Sequence, residues 1–336
     1  MIDHISGLLV ETESWRVLCH KVSHLKEERM PIQPVAKIWM DGKLVDWEDA
    51  KIHVLTHALH YGSGVFEGIR AYETEKGAGV FRLTDHIKRL FRSAQIYMID
   101  IPYGLDLLVD ACKETVRENG MKSCYVRPIV FRGYGEMGLN PLPAPINVSI
   151  AVWAWGTYLG EECLEHGARL ITSSWRRPDP NALPAQAKAT GQYINSGLAK
   201  IEAVKGDYDD ALMLSPDGLL AEGTGENVFV VNDNTLITPP ESSGALMGIT
   251  RNSVITIAKD LGYEIGERNL TRSDVYTADE VFLTGTAAEV TPVREVDDRP
   301  IGNGTRGPIT KEIQQTYFAA VKGQDDRYSD WVELVG

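Results

Sequence analysis

A single lysine in unusual surroundings is the first candidate for chemistry in this sequence. Lys188 lies in the segment Ala182-Leu-Pro-Ala-Gln-Ala-Lys-Ala-Thr-Gly-Gln-Tyr193, and no other charged residue occurs between Asp179 and Lys200. A lysine in tight, weakly polar surroundings loses hydration, so the pKa of its ammonium falls and the free amine becomes a nucleophile. Such an amine can form a Schiff base with a carbonyl compound. Taken alone, the pattern also suits an ordinary loop lysine.

A second stretch strengthens the chemical interpretation. The segment Glu222-Gly-Thr-Gly-Glu-Asn227 follows a Pro-Asp-Gly turn at 216–218 and precedes the strand-like run 228–231. A glutamate at the end of a strand, beside glycines, can direct its carboxylate at a flat ligand lying against the backbone. Pyridoxal phosphate needs a lysine for its aldehyde, an acid that keeps its ring nitrogen protonated, and a phosphate cradle. Lys188 and Glu222 are candidates for the first two.

With these two segments in place, the chain resembles the branched-chain amino-acid aminotransferases, which belong to the fold-type IV group of pyridoxal-phosphate enzymes. The match runs from about Ile38 to about Phe318. The resemblance implies an α+β or α/β fold of two domains with the cofactor between them. The predicted divisions are an N-terminal extension that is disordered or a mis-called start (1–33), a small α/β domain (34–155), an interdomain loop (156–163) and a large cofactor-binding domain (164–336).

The resemblance also assigns residues to the cofactor, pyridoxal 5′-phosphate. Lys188 holds it as an internal aldimine, Glu222 keeps its ring nitrogen protonated, and Tyr193 hydrogen-bonds its ring hydroxyl. Arg89, in a His-Ile-Lys-Arg-Leu pattern, grips the phosphate, for which a planar guanidinium fork is well suited. A helix that begins near Met247-Gly-Ile-Thr250 offers free N–H groups to the same phosphate. The remaining phosphate contacts are assigned to Gly248, Ile249, Thr250 and Thr286.

The substrate pocket follows from the same resemblance. Two aromatic residues line the side-chain pocket and an arginine lies near its entrance (Tyr61, Phe66 and Arg70). Arg127 helps to hold the distal carboxylate of glutamate or 2-oxoglutarate, with Tyr125 nearby, since an arginine on a half-buried strand needs an anionic partner. The other assigned positions are Trp155 and Tyr158 over the substrate, and Thr286 and Ala287 toward its carboxylate. Core packing for Phe66 and Tyr193, a structural ion pair for Arg127 and a solvated Arg89 remain the alternatives.

Bulk properties narrow the class of protein. The chain has 336 residues, of which 43% are hydrophobic and 24% charged, which is ordinary for a soluble globular protein. A net charge of −13 argues against non-specific binding to nucleic acid. Neither a secretory signal nor an apolar run long enough to span a bilayer is present in the sequence. The four widely spaced cysteines predict reduced thiols in a cytoplasmic protein, and His53, His57 and His60 lack the further ligands of a metal site.

Several elements are expected to position these residues. We predict a hairpin over Lys37–Val45, a strand over Val65–Tyr72, a helix with Thr84 as its N-cap and a second helix over Leu105–Asn119. We also predict a strand over Tyr125–Phe131 and a helix over Ile194–Val204, with Ile194, Leu198 and Ile201 on one face. The Gly- and Pro-rich loop 133–145 reaches the partner subunit's active site in the resembling family. This implies a homodimer or a higher homo-oligomer.

The predicted function is the pyridoxal-phosphate-dependent transamination of L-leucine, L-isoleucine and L-valine with 2-oxoglutarate. The products are branched-chain 2-oxo acids and L-glutamate, and two half-reactions through one site imply ping-pong kinetics. The alternatives of the same fold are D-amino-acid aminotransferase and aminodeoxychorismate lyase. A non-catalytic binding protein is disfavoured, because Lys188, Glu222, Arg89 and Tyr193 are all present.

Overall fold

The computed structural model describes residues 32–156 and 158–336. Within this part, Pro34–Gly336 forms one compact unit. The predicted N-terminal extension lies outside the described residues, apart from its last two positions. The division of the remaining chain at 155 and 163 stays a prediction.

The described residues contain both helices and strands, interspersed along the chain. The α-helices are α1 (His57–Tyr61), α2 (Leu83–Ile96), α3 (Leu105–Glu118), α4 (Glu161–His166), α5 (Tyr193–Lys205), α6 (Ile249–Asp260), α7 (Arg272–Tyr276) and α8 (Pro308–Val321). The first seven strands are β1 (Lys37–Met40), β2 (Lys43–Asp46), β3 (Gly64–Phe66), β4 (Ile69–Thr74), β5 (Gly77–Phe81), β6 (Cys124–Arg132) and β7 (Ile146–Trp153). The later strands are β8 (Ala168–Thr172), β9 (Asp210–Leu214), β10 (Leu220–Glu222), β11 (Asn227–Asn232), β12 (Thr235–Thr238), β13 (Glu264–Glu267), β14 (Glu280–Gly285), β15 (Glu289–Val296), β16 (Arg299–Pro300) and β17 (Val332–Leu334).

The first sheet is antiparallel and has the order β17-β5-β4-β6-β7-β1-β2, with β3 also paired to β6. Side chains alternate between the two faces of a strand, so β6 presents different residues to each side. Val126 and Val130 face a core shared with α2 and α3. Tyr125 and Arg127 therefore point to the opposite face. The C-terminal strand β17 belongs to this sheet, although its residues fall within the predicted second domain.

The second sheet is mixed and has the order β10-β9-β8-β15-β14-β11-β12-β13, with β16 paired to β15. The pairs β8–β9, β8–β15 and β12–β13 are parallel and the others are antiparallel. Phe229 and Phe282 stack at its centre, with ring centroids 5.0 Å apart. Residues of α6 and α8, such as Val254 and Ile313, pack in the same core. One antiparallel and one mixed sheet, each packed against helices, confirm the predicted α+β class.

Two predicted elements differ from the structure. The strand predicted over 65–72 is interrupted between β3 and β4, at Glu67 and Gly68. At this break the Glu67 side chain forms buried charge–charge contacts with His86 and Arg89. Helix α2 begins at Leu83, so Thr84 is not its N-cap. Arg82, in a left-handed conformation with φ 48°, precedes the helix instead.

Helix α5 packs against the second sheet through its small residues and not through its large apolar residues. The helix buries small residues, Ser196, Ala199 and Ala203. Ile194 and Ile201, which were predicted to share one face, are 71% and 54% exposed. Small side chains face inward because they allow the helix to approach β9 closely, which leaves the bulky apolar face outward.

Among the described residues, no helix combines the length and the apolar character that crossing a membrane requires.

Candidate active site

Residues from both sheets line one cavity of about 190 Å³. The first sheet contributes Phe66, Tyr125 and Arg127, and the second contributes Glu222 at the end of β10. Nearly all the residues that the sequence assigned to cofactor or substrate meet here. Those lining the cavity are Phe66, Arg89, Tyr125, Arg127, Trp155, Tyr158, Lys188, Tyr193, Glu222, Gly248, Ile249, Thr250, Thr286 and Ala287.

Backbone contacts fix the segment that carries Lys188. Its N–H donates to the Ser93 hydroxyl on α2 at 3.0 Å, and its carbonyl accepts from the N–H of Phe66 at 3.0 Å. Ala189 forms an isolated β-bridge with Val65 next to it. The segment is thus attached to the first sheet, while its side chain is free to point into the cavity.

A short 3₁₀ turn over Thr190–Gln192 brings Tyr193 back toward Lys188. The Lys188 Nζ donates to the Tyr193 hydroxyl at 2.6 Å. The Phe66 ring packs edge-on against the Tyr193 ring at 4.8 Å and lies 5.2 Å from the same Nζ. The amine therefore has one polar partner and an aromatic wall.

Glycines allow the close approaches that this arrangement requires. At Gly62, with φ 62°, a Cβ would lie 2.6 Å from the Cα of Gly191, so the two backbones cross in contact. At Gly68, a Cβ would lie 1.9 Å from the Tyr125 hydroxyl. Side chains at these positions would push apart the Lys188 segment or the aromatic wall.

The carboxylate of Glu222 is buried and meets a second cation. Its Oε1 lies 2.9 Å from Nε of Arg177, and its Oε2 accepts the N–H of Leu246 at 3.1 Å. Burial raises the pKa of Glu222, while Arg177, the Leu246 N–H and Lys188 act in the opposite direction. Neither Arg177 nor Leu246 was singled out from the sequence.

Arg89 is held by a buried acid that the sequence analysis missed as a functional residue. Its Nε and Nη2 donate to the two carboxylate oxygens of Glu67 at 2.6 and 2.8 Å, and its Nη1 donates to the Met247 carbonyl at 3.2 Å. His86 Nδ1 lies 2.8 Å from the same carboxylate. Burial alone would raise the pKa of Glu67, but Arg89 and His86 outweigh it and hold that pKa well below its usual range.

An arginine has five N–H groups, so these three contacts leave one N–H on each terminal nitrogen of Arg89. Burial lowers the pKa of Arg89, but the charge and the hydrogen bonds of Glu67 outweigh burial and raise that pKa above its usual value, so the guanidinium stays charged. Arg89 therefore lines the cavity with two N–H groups available to a further anion, one on each terminal nitrogen.

The N-terminus of α6 opens onto the cavity. Its N-cap, Gly248, has no side chain, and the first turn contains no acidic residue. The first N–H groups of a helix have no intrahelical partner and carry partial positive charge. Thr286 and Ala287, in the turn between β14 and β15, also line the cavity. The hydroxyl of Thr284 nearby is buried and has no hydrogen-bond partner among the described residues.

Arg127 differs from the other arginines of the cavity. Its guanidinium carbon lies 4.7 Å from the ring centroid of Phe66, 5.3 Å from that of Tyr125 and 5.7 Å from that of Trp153. In the part of the chain that is described, it has no carboxylate partner, and its Nε has no hydrogen bond. The structural ion pair considered for Arg127 is therefore not formed within these residues.

Two assigned residues lie outside the cavity lining. Tyr61 is 46% exposed, and its hydroxyl donates to the Met137 carbonyl at 3.1 Å. Arg70 pairs with Glu289, at 3.3 Å between Nη1 and Oε1, and its Nη2 lies 3.4 Å from the Gly156 carbonyl. The structure of one chain does not bring either side chain to Lys188.

Comparisons with known proteins identify the family of the chain. The family described as amino-transferase class IV matches residues 64–296. A branched-chain-amino-acid aminotransferase of Pseudomonas aeruginosa is 50% identical over 298 residues, covering 89% of this chain and 97% of the relative.

Two solved structures support the same assignment. A branched-chain amino acid aminotransferase from the source abbreviated T.th., with pyridoxamine 5′-phosphate, is 51% identical, with a TM-score of 0.88 over 91% of this chain and all of the other. The T.th. enzyme complexed with N-(5′-phosphopyridoxyl)-L-glutamate is 50% identical, with a TM-score of 0.87 over 90% of this chain and all of the other.

The family match over residues 64–296 covers more than two thirds of the chain. Class IV aminotransferases use pyridoxal 5′-phosphate, so the family, fold and cofactor expected from the sequence are confirmed. The chain belongs to the class IV aminotransferases and, among them, to the branched-chain-amino-acid aminotransferases.

Proposed function

We propose that the chain transfers the amino group of L-leucine, L-isoleucine or L-valine to 2-oxoglutarate, giving a branched-chain 2-oxo acid and L-glutamate. The observation that carries the proposal is Arg127, a cation without an anionic partner among the described residues, set among aromatic rings in the cavity of Lys188. Such a cavity offers an apolar surface to one substrate and a positive charge to the other.

The residues of the cavity fit pyridoxal 5′-phosphate by their donor set. Lys188 offers an amine beside a phenol, Glu222 offers a buried carboxylate, and the start of α6 offers an uncapped helix N-terminus. The hydroxyl of Thr284, which has no hydrogen-bond partner among the described residues, is one more donor. In this proposal, Glu222 would bind the ring nitrogen and Tyr193 would bind the ring hydroxyl. Arg89, Gly248, Ile249, Thr250 and Thr286 would hold the phosphate.

When bound, pyridoxal phosphate supplies an electron sink for the electron pair left at the α carbon of the amino acid. Lys188 Nζ removes the proton from that α carbon as a general base and later returns a proton as a general acid. Tyr193, 2.6 Å from Nζ, holds the amine in position between these steps. Because both substrates use one site in turn, the first 2-oxo acid leaves before 2-oxoglutarate binds, which is ping-pong kinetics.

The side-chain pocket serves both substrates. Phe66, Tyr125 and Trp155 supply apolar ring surface for a branched side chain. Arg127 lies over the Phe66 and Tyr125 rings, where it can pair with the distal carboxylate of 2-oxoglutarate. Thr286 and Ala287 are proposed to bind the substrate carboxylate nearest the reacting carbon, and Tyr158 covers the substrate. The complex of the T.th. enzyme with N-(5′-phosphopyridoxyl)-L-glutamate supports a site that accepts the dicarboxylate L-glutamate.

We also propose a homodimer or a higher homo-oligomer in the cytoplasm. In the described chain, Tyr61, Tyr134 and Leu139 are 46%, 58% and 86% exposed, and they lie on α1 and on the loop 133–145. Ile194 and Ile201 add a second exposed apolar face on α5. A second copy that covers these surfaces would place Tyr61 and the loop at its partner's cavity. The buried free thiols of Cys112, Cys124 and Cys163 fit a reducing compartment.

A coupled assay tests the proposal. Purified protein with added pyridoxal phosphate is offered L-leucine, L-valine, L-isoleucine, D-alanine or aminodeoxychorismate, with 2-oxoglutarate where an acceptor is needed. We expect glutamate from the three branched L-amino acids alone and none from Lys188→Ala. Activity with D-alanine indicates a D-amino-acid aminotransferase, and pyruvate from aminodeoxychorismate indicates the lyase. Either result, or no activity with all five compounds, overturns the proposal.

A further inference from the structure

The acid proposed for the cofactor ring already has a cationic neighbour in the protein itself. Arg177 Nε lies 2.9 Å from Glu222 Oε1, and both side chains are 8% exposed. The Nε–H is not directed at this oxygen in hydrogen-bonding geometry, so the contact is one of charge against charge. A close pair of opposite charges away from water interacts strongly whatever the donor angle.

Arg177 is anchored independently of Glu222. Its backbone N–H donates to the Leu214 carbonyl at 2.8 Å, at the end of β9. Its Nη1 lies 3.3 Å from the Ser196 hydroxyl and 3.4 Å from Asn195 Oδ1, both on α5. The guanidinium therefore connects the segment after β8 with helix α5, through contacts that do not involve Glu222.

The second oxygen of Glu222 is anchored as well. Oε2 accepts the N–H of Leu246, three residues before α6 begins. The carboxylate is thus fixed at both oxygens, between Arg177 on one side and the chain leading to α6 on the other. Both anchors are protein groups, so the acid is oriented before any cofactor arrives.

A buried carboxylate without a cation takes up a proton at a higher pH than one in water. The charged groups that act on Glu222 are Arg177 and Lys188, and both favour its ionised form. Of the two cations, Lys188 is the amine that reacts with the cofactor, so its charge changes during the cycle. Arg177 keeps its charge throughout, because a guanidinium does not deprotonate in proteins.

We propose that Arg177 is a positioning residue, which holds the Glu222 carboxylate ionised and directed into the cavity for the ring nitrogen of the cofactor. This inference rests on the proposed function in one respect, which is that the ring nitrogen of the cofactor is the partner of Glu222. The state of Glu222 in the cofactor-free protein is a property of this chain alone.

The experiment measures that state by infrared spectroscopy of the cofactor-free protein. A protonated carboxyl group has a carbonyl stretch separate from that of a carboxylate, and Glu222→Gln identifies the contribution of Glu222. The spectrum of the unchanged protein near neutral pH is compared with that of Glu222→Gln. We expect the unchanged protein to show no protonated carboxyl band that is absent from the variant. Such a band would overturn the proposal without any change at Arg177, so the result does not depend on a variant that fails to fold.

Variants at Arg177 provide the second arm. In Arg177→Met we expect a protonated carboxyl band near neutral pH that disappears in Arg177→Met/Glu222→Gln. In Arg177→Lys, which retains the charge, we expect no such band. The control is Arg176→Met, an exposed neighbour whose Nη1 donates only to the Pro216 carbonyl, and it should match the unchanged protein. Identical spectra for Arg177→Met and the unchanged protein would overturn the proposal.

Affinity for pyridoxal phosphate supplies a functional readout. We expect Arg177→Met to bind it at least tenfold more weakly, with most of the loss restored in Arg177→Lys. A purely structural role would instead lower the melting temperature of both variants and leave the spectra unchanged. If the infrared results hold while no branched-chain amino acid is a substrate, the proposed function fails and the role of Arg177 stands.

Discussion

Lys188 Nζ and the Tyr193 hydroxyl form a 2.6 Å hydrogen bond across a single 3₁₀ turn. The pair joins the amine to the start of α5, while the backbone of Lys188 is attached to α2 and β3. The reactive nitrogen is therefore located by contacts from both sides of the cavity. A nucleophile that needs a fixed direction of approach benefits from such placement.

The first prediction concerns this bond. In Tyr193→Phe the amine loses its polar partner. A hydrogen bond to a charged group contributes about 1.5–3 kcal/mol, so we expect kcat to fall by roughly tenfold to a hundredfold. We also expect the pH at which the absorbance of the bound cofactor changes to move. Steady-state kinetics and a spectrophotometric pH titration measure both. Tyr263→Phe, whose hydroxyl bonds the exposed Glu312, is the control. An unchanged titration in Tyr193→Phe would contradict the role of the bond.

The second prediction separates the two substrates. In Arg127→Met the apolar surface stays and the cation is lost, so the half-reaction with L-glutamate should slow far more than that with L-leucine. A charge-assisted hydrogen bond contributes about 1.5–3 kcal/mol, so we expect a loss of roughly tenfold to a hundredfold in kcat/KM for glutamate. Single-turnover absorbance changes with each amino acid measure the two rates separately.

Arg127→Lys completes that comparison. It keeps the charge but loses the planar fork, so it should recover part of the glutamate rate. Equal losses for glutamate and leucine in Arg127→Met would show that the arginine supports the aromatic wall and does not select the dicarboxylate.

Local pattern was enough to predict much of this molecule. The hairpin β1–β2, helix α3 and strand β6 lie within a residue or two of their expected bounds, because each has a clear period and a turn residue at its end. The fold and the cofactor class came instead from the resemblance, through the segments around Lys188 and Glu222.

Contacts between distant residues could not be predicted in this way. Glu67 and Arg89 are 22 positions apart, on a strand break and a helix, and nothing in their local sequence says that they meet. The same holds for Arg177 and Glu222, which come from different strand ends. In helix α5 the sequence pattern identifies an apolar face, but Ile194 and Ile201 on that face are exposed. The pattern does not say whether an apolar face is buried or which surface covers it.

The third prediction concerns the buried pair of Glu67 and Arg89. Glu67→Gln leaves the guanidinium facing an amide instead of a carboxylate, in a region closed to water. Removing one partner of a buried ion pair costs about 3–5 kcal/mol, which we expect as a loss in the free energy of unfolding of the cofactor-free protein. Urea denaturation measures it. Affinity for pyridoxal phosphate should fall too, because Arg89 loses its orientation.

The matched control is Glu73→Gln, which removes an exposed pair with Lys122. Solvent screens such a pair, so the urea midpoint should not move. If Glu67→Gln were as stable as this control, the pair would not be what orients Arg89.

The last prediction concerns Glu226, a buried acid that has no part in the proposed reaction. Burial and the neighbouring Asp210 raise the pKa of Glu226 to about 8, against 4.5 for an ordinary glutamate. Its Oε2 accepts the Gly225 N–H at 3.0 Å, and the charges facing it are those of Asp210, Lys200 and Glu222. Between these two pKa values the native chain holds a proton that the unfolded chain has released. Stability should therefore fall as the pH rises from about 5 to about 8, by up to about 1.4 kcal/mol per pH unit for one proton.

Glu226→Gln isolates this contribution. The amide oxygen can still accept the Gly225 N–H, but the side chain no longer titrates, so the free energy of unfolding should decline less steeply over the same pH range. Urea denaturation of the cofactor-free protein at intervals from pH 5 to pH 8 measures the slope, and Glu264→Gln on the exposed strand β13 is the control. Equal slopes in Glu226→Gln and the unchanged protein would mean that Glu226 is ionised in the native state. The buried carboxyl would then need a cation closer than Lys200, whose Nζ is already 2.8 Å from Asp210.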